Sequence, residues 1–304
     1  MNQLLPDARE CQYFRGNLHG HSTHSDGALS AEAVVAQYQA LGYDFTCLSD
    51  HLWIEPVFCA QSVLDTRHLD SDTFVTIPSA EIHCLGKKHD RDDLWHLVAN
   101  GLPLDFASAT EDETAPELLE RALAAGAYVT LAHPEWHSMT SEEALSLHRA
   151  HAVEIYNHGC HIECMRGGGT GVADVLLQEG HRFNLIATDD SHFRIADFGG
   201  GWVMVAAENL SADALLAALK SGRYYSSTGA DFVEMTLERS RLVVSCSPVS
   251  HICVSGQQTH SMSRNGHNIT RAEFDLSAFD SDWFRVTLCG SAGQMGWSNP
   301  VWWR

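Results

Sequence analysis

No stretch of this 304-residue chain is an apolar run long enough to cross a bilayer, so no membrane-spanning helix is expected. The opening residues, MNQLLPDARECQYF, lack a basic segment followed by an apolar one, and no export signal is expected there. Positive charge is also scarce. Nineteen Lys and Arg stand against 39 Asp and Glu, for a net charge of −20 and a pI near 5.2. Such a surface repels long polyanions, which excludes duplex nucleic acid and anionic membrane as expected partners. A small phosphorylated ligand stays open, because bound divalent cations reverse the local field. The nine cysteines are odd in number and form no CxxC pair. That favours buried or free thiols in a reducing compartment, the cytoplasm by default, over a disulfide framework.

Histidine, by contrast, is abundant: its 19 copies equal the whole Lys and Arg count. Surface polarity does not require so many, whereas metal ligation favours them. With 44% apolar and 19% charged residues, the chain has the composition of a globular protein, long enough for one barrel-sized domain and an appendage.

Up to about residue 228, short apolar runs alternate with amphipathic helical patterns. Phe14 to His19 reads as a strand, followed by a helix capped by Ser30 and closed at Gly42. Segments 44–49, 73–79 and 94–99 read as strands, and Pro116 opens a helix that ends at Gly126. Strand YVTLAH, a helix over 141–150, strand AVEIYN, a helix near 172–179, strand FNLIATD, strand WVMVAA and a helix capped by Ser211 complete the series. Repeated βα units imply a parallel sheet, closed or nearly so, covered by helices. From residue 229 only short alternating strands remain, which predicts a small β-sandwich over 229–304 behind a main domain over 1–228. The polar stretch 100–117 reads as a long loop.

Catalytic groups of a βα barrel project from the carboxyl ends of its strands. Here those ends carry His19 and His21, Asp50 and His51, Glu81, His96, His133, Asn157, and Asp190 with His192. A satisfied core histidine explains any one of them; it does not explain the series. In His19-x-His21, alternate residues of an extended segment face one side and can grip one cation. A carboxylate such as Glu81 can bridge two metals, and Asp190 can hold one from across the barrel. Mixed imidazole and carboxylate ligation suits Zn, Mn or Fe. Paired cations of this kind make a bridging hydroxide nucleophilic at neutral pH.

The segments NLHGHSTHSDG (17–27), LSDH (48–51), AE (80–81), AHP (132–134) and TDDSH (188–192), in this order, resemble the PHP (polymerase and histidinol phosphatase) superfamily. LKSGRYYSSTGA (219–230) and GWSNPVWW (296–303) resemble its CehA/McbA-type branch, in which a β-rich segment follows the PHP domain. The resemblance implies a distorted (β/α)7 barrel holding two or three divalent metal ions. It implies one metal on His19, His21, Glu81 and Asp190, a second on Glu81, His96 and His133, and a third on Asp26, His51 and His192. His96 is preferred to His83 and His89 because it lies in a strand-like segment, whereas they fall in a polar turn.

Other positions carry weaker signals. His24 and His137 flank implied ligands as candidate proton donors, and Arg194 and Asn157, next to Tyr156, are candidate substrate contacts. Lys87 and Lys88 form a second basic group. His133 to His137 is not a zincin helix, because Pro134 stands where the motif needs Glu. The cluster of His158, Cys160, His161 and Cys164 reads as a loop, Arg166 with Gly167 to Gly169 as a flexible basic loop, and His251, His260 and His267 as surface residues. The expectation is a phosphoesterase acting on a small phosphomonoester or phosphodiester. Hydrolysis of a carboxylic or carbamic ester at the same site is the alternative, and a non-catalytic metal-bound interaction module is another.

Overall fold

The computed structural model of the protein describes residues 2–53, 59–85 and 94–304. Lys87, Lys88 and His89 lie outside the described residues. The chain lays down β1 (Asn2–Leu5), β2 (Tyr13–Asn17), α1 (Ala31–Ala40), β3 (Phe45–Leu48), the two-residue β4 (His51–Leu52), β5 (Val75–Leu85) and β6 (Leu94–Asn100). Next come α2 (Ala115–Ala124), β7 (Tyr128–Leu131), α3 (Ser141–Ser146), β8 (Ala152–Asn157), α4 (His158–Cys164), α5 (Thr170–Gln178) and β9 (Asn184–Thr188). They are followed by β10 (Trp202–Ala206), α6 (Ala212–Lys220) and β11 (Tyr224–Ser227). Strands alone complete it: β12 (Phe232–Glu238), β13 (Arg241–Gly256), β14 (Ser261–Asp275), β15 (Trp283–Cys289), β16 (Met295–Ser298) and β17 (Val301–Trp302).

Local sequence sets the helix boundaries. Ser30 and Ser211 accept hydrogen bonds from the amides of Ala33 (3.4 Å) and Ala214 (3.3 Å), and Thr114 with Glu117 forms a capping box. Gly126 ends α2 at a φ of 88°, a conformation costly for other residues. The apolar face of α2, Leu118, Leu119 and Ala122, buries itself in one core with Val129 and Leu131 of β7.

The strands join into one large mixed sheet. β2, β3 and β5 run parallel, as do β7, β8 and β9. The expected all-parallel order fails at β10, which is antiparallel to β2, and at β6, which is antiparallel to both β5 and β7. The physical reason at β6 is connection length: the chain between Leu85 and Leu94 is shorter than the crossover of about a dozen residues that parallel pairing needs. β5 also outruns its predicted end at residue 79, so Glu81 and His83 both lie on it, and His83 pairs in register with His96.

The sheet does not close. Among the described residues no ladder joins β9 to β2, β10 or β11. Side chains occupy that seam. Ser226 Oγ accepts from Ala187 N (3.1 Å) and donates to Leu185 O (2.9 Å), while Asn299 Oδ1 accepts from Leu185 N (2.9 Å). A single parallel bridge, Gly20 with Ser191, links the segments that follow β2 and β9.

In the β-rich region, β1 from the chain's start pairs with β12, and Leu5 shares a core with Phe232, Leu242, Ile252 and Phe284. Against the expectation of short strands only, residues 241–256 form one long strand, β13, with register shifts on either side of Val249. β16 pairs back onto β11, and Trp283 and Trp297 pack into the main core. Residues 158–164, expected as a loop, form α4, because Asn157 Oδ1 accepts from Cys160 N (2.9 Å) and caps the turn. The expected helix over 141–150 stops at Ser146. No helix among the described residues is long and apolar enough to cross a membrane.

Candidate metal centre

His19 and His21 follow β2 directly, Asp50 and His51 follow β3, and Glu81 and His83 lie on β5, His96 on β6, His133 just beyond β7, and Asp190 and His192 just beyond β9. Strand ends from across the sheet therefore converge on one cavity of about 630 Å³, whose lining includes Asp26, His51, Glu81, His96, His133 and His192. Asp190 also faces this cavity.

Glu81 is the hub. Its Oε1 lies 2.8 Å from His96 Nδ1, 3.1 Å from His133 Nε2 and 3.5 Å from His19 Nε2. Its Oε2 lies 2.7 Å from His51 Nδ1 and 3.6 Å from His21 Nε2. Asp190 Oδ1 stands 3.0 Å from His21 Nε2 and 3.2 Å from His19 Nε2. Asp26 Oδ1 lies 3.4 Å from His192 Nε2 and 3.5 Å from His51 Nε2.

The sequence-derived ligand sets meet these groupings unevenly. Asp26, His51 and His192 come together as grouped, joined by His21. His19, His21, Glu81 and Asp190 divide between two triads, His19 with His21 and Glu81, and His19 with His133 and Asp190. His96 approaches a common point with His133 and His137, and another with His51, Glu81 and His83. His83, set aside as a turn residue, is thus a buried strand residue beside Glu81. His137, proposed as a proton donor, shares a potential ligand position with two imidazoles. The segment 133–137 achieves this as a turn, with the Trp136 and His137 amides both bonding the His133 carbonyl.

Other candidates lie elsewhere. His24 Nε2 is 2.9 Å from the Ser62 carbonyl oxygen, and His24 is not part of the cavity lining. Asn157 is fully buried and its amide donates to Glu154 Oε2 (2.9 Å) and Asp190 Oδ2 (3.1 Å), so both amide hydrogens serve the protein's own carboxylates. Arg194 lines the cavity and donates from Nη2 to the Asp26 carbonyl oxygen. Among the described residues, His158, Cys160, His161 and Cys164 form no metal-holding group. His158 bonds Tyr156 Oη instead (3.0 Å).

Charge in the cluster is mutually stabilised. Burial pushes the Glu81 carboxyl up, but the surrounding His96, His51 and His19 more than reverse this and hold it well below the usual carboxylate range. Burial and the neighbouring His192 and His51 push His21 down to about 3. Burial also opposes the charge of Asp26 and His192, yet their mutual contact brings Asp26 down to about 2 and His192 up to about 9.

One residue escaped the sequence reading. Glu154, fully buried on β8, accepts from His19 Nδ1 (2.7 Å), Thr188 Oγ1 (2.8 Å), the His133 amide (2.7 Å) and Asn157 Nδ2 (2.9 Å). It fixes a proton on His19 Nδ1, so that Nε2 offers its lone pair to the cluster when the ring is neutral. A single carboxylate inside the apolar run AVEIYN was the available signal, since a buried charge needs partners.

The donor set fits divalent cations. Buried His19 Nε2 and Asp26 Oδ1 have no hydrogen-bond partner, and both face carboxylate or imidazole atoms across the cluster. His133 (φ 24°) and Asp190 (φ 53°) hold backbone conformations rare for residues other than glycine, a strain that such sites commonly carry.

No family model matches the sequence, and no curated protein matches it. The fold is similar to that of a two-domain protein from Bacteroides vulgatus containing a predicted PHP-like metal-dependent phosphoesterase. The two share 15% identity and a TM-score of 0.56 over 99% of this chain and 98% of that one. At that identity the likeness is one of fold. A protein assigned as a metal-dependent phosphoesterase from Bifidobacterium adolescentis aligns over 67% of this chain and 95% of its own, with 13% identity and a TM-score of 0.45. An amidohydrolase from Chromobacterium violaceum aligns over 58% and 87%, with 11% identity and a TM-score of 0.44. Those two scores carry no argument.

Proposed function

We propose that this chain is a PHP-type metal-dependent hydrolase that cleaves a small phosphoester. The observation that carries the reading is one cavity lined by His51, His96, His133 and His192 with Glu81, Asp190 and Asp26, while the buried His19 and His21 stand against the same Asp190. A fold similar to that of a protein containing a predicted PHP-like metal-dependent phosphoesterase supports it. Two or three divalent cations held there would polarise an ester oxygen and lower the pKa of a bound water. The chain's own contribution is positional. Glu81 and Asp190 gather the imidazoles, Glu154 orients His19, and Arg194 stands at the edge of the cavity as the basic group facing a substrate anion. Zn, Mn and Fe all suit the donor set.

A carboxylic or carbamic ester is the second reading. It is favoured by the cavity's apolar members, Trp53, Leu85, Trp136 and Ile195, and by the commitment of Arg194 Nη2 to the Asp26 carbonyl. Metal content and rates with p-nitrophenyl phosphate, bis-p-nitrophenyl phosphate and p-nitrophenyl acetate test both. Phosphoester turnover that needs Mn or Zn is expected. Turnover of the acetate alone would overturn the phosphoester reading, and fewer than two tightly held metals would overturn the multinuclear one.

A further inference from the structure

Among the described residues, five large apolar side chains are substantially exposed: Leu41, Leu85, Trp136, Met165 and Ile195. Scattered exposed apolar residues are ordinary, but a concentration of them at one place is not. Three of the five, Leu85 (47% exposed), Trp136 (42%) and Ile195 (48%), line the same cavity as the carboxylate and imidazole cluster. Trp53 adds a buried indole to the same lining. The apolar surface begins beside the cluster itself, since the Trp136 ring lies 5.1 Å from that of His133 and 5.5 Å from that of His96.

We propose that these side chains form a subsite for the alcohol portion of the substrate, which is therefore a phosphoester of a large apolar, aromatic-sized alcohol. This rests on the phosphoester reading above for the acid half only. Three features support it. An indole and two aliphatic side chains left open to water gain free energy only when an apolar group covers them. The cavity volume, about 630 Å³, is that of a small-molecule site. The lining joins His51, His96, His133 and His192, gathered around Glu81 and Asp190, to these apolar side chains, so one ligand with a charged end and an apolar end satisfies both. In the reaction, the oxygen of water bonds to phosphorus, the bond from phosphorus to the alcohol oxygen breaks, and the alcohol leaves with a proton that originates from the water.

Benzylphosphonate and methylphosphonate test this, because they differ in the apolar group alone and contain no ester to hydrolyse. In calorimetric titrations of the full chain with and without Mn²⁺, benzylphosphonate should bind at least about tenfold more tightly. Trp136→Ala and Ile195→Ser, both at exposed side chains, should each shrink that ratio. Equal binding by the wild type, failure of both compounds to bind, or a ratio untouched by either substitution would overturn the proposal. Rates with the methyl, butyl and benzyl esters of phosphoric and of acetic acid separate it from the reading beneath it. Acetates cleaved faster as the alcohol grows, with inert phosphates, would remove the phosphoester reading and leave the subsite standing. Phosphates cleaved at rates indifferent to the alcohol would do the reverse.

Discussion

Glu154 Oε1 accepts a 2.7 Å hydrogen bond from His19 Nδ1, and both side chains are fully buried. The bond commits one imidazole nitrogen inward and turns the other toward Asp190 and Glu81. Partners of this kind commonly set metal affinity as strongly as some ligands do.

Replacing Glu154 by Gln should therefore weaken divalent-metal binding roughly 10–100-fold. The amide cannot accept from all four present donors, and facing its NH2 to His19 would reverse the tautomer. Thr188→Val removes one hydroxyl from the same carboxylate and should cost about 1 kcal/mol of stability while leaving metal affinity as it was. Chelator competition on the two folded variants distinguishes the effects. Wild-type affinity in the Gln variant would end the argument.

In the metal-free protein the contact between Asp26 and His192 should contribute stability with two flanks, read as the difference between wild type and Asp26→Asn. The carboxyl of Asp26 falls from 3.8 to about 2 in the folded state, so its contribution is present above pH ~4 and fades as pH drops through about 2. His192 rises from 6.5 to about 9, so its contribution is complete below pH ~6.5 and fades as pH climbs through about 9. The pair therefore helps most between pH ~4 and ~6.5. Urea unfolding of chelator-treated protein across this range measures it, and Asp26→Asn should flatten the alkaline flank.

Metal should stabilise the fold by mass action, since the unfolded chain has no assembled site. At one hundred times the dissociation constant, a single ion adds about 2.7 kcal/mol. Calorimetric melting with and without Mn or Zn should show a rise that Asp190→Asn largely removes. Metal content of His83→Ala and His137→Ala then tells which of these two imidazoles binds an ion. A retained full complement in either variant makes that residue structural.

Gly169 and Gly171 lie two residues apart, yet substitution should have opposite effects. A Cβ at Gly169 would collide with the carbonyl oxygen of Glu154, backbone that cannot move without shifting β8. Gly169→Ala should cost about 1–3 kcal/mol and weaken metal binding through Glu154. A Cβ at Gly171, within α5, meets nothing within 4 Å. Gly171→Ala should be stabilising by up to about 1 kcal/mol. Chemical denaturation of both variants checks the contrast.

The sequence alone determined what short-range chemistry can determine. Ser30, Ser211 and the Thr114–Glu117 pair announce helix starts because a cap acts on amides two or three residues away. The histidines and carboxylates that follow β2, β3, β7 and β9 were also legible, because a βα repeat places such residues at predictable points of the chain, whereas Glu81 lies within β5 and His96 within the antiparallel β6. Tertiary structure decided the rest. The short connection before β6 dictates its direction only because β6 pairs with β5, and that pairing, like the length of β5, rests on a ladder that no local pattern announces. That extra length moved His83 from a presumed turn to a buried position beside Glu81. Glu154 stood in plain view within AVEIYN, but its four donors come from residues 19, 133, 157 and 188. A buried charge states in sequence only that it needs partners; which ones it finds is fixed when distant strands pack side by side.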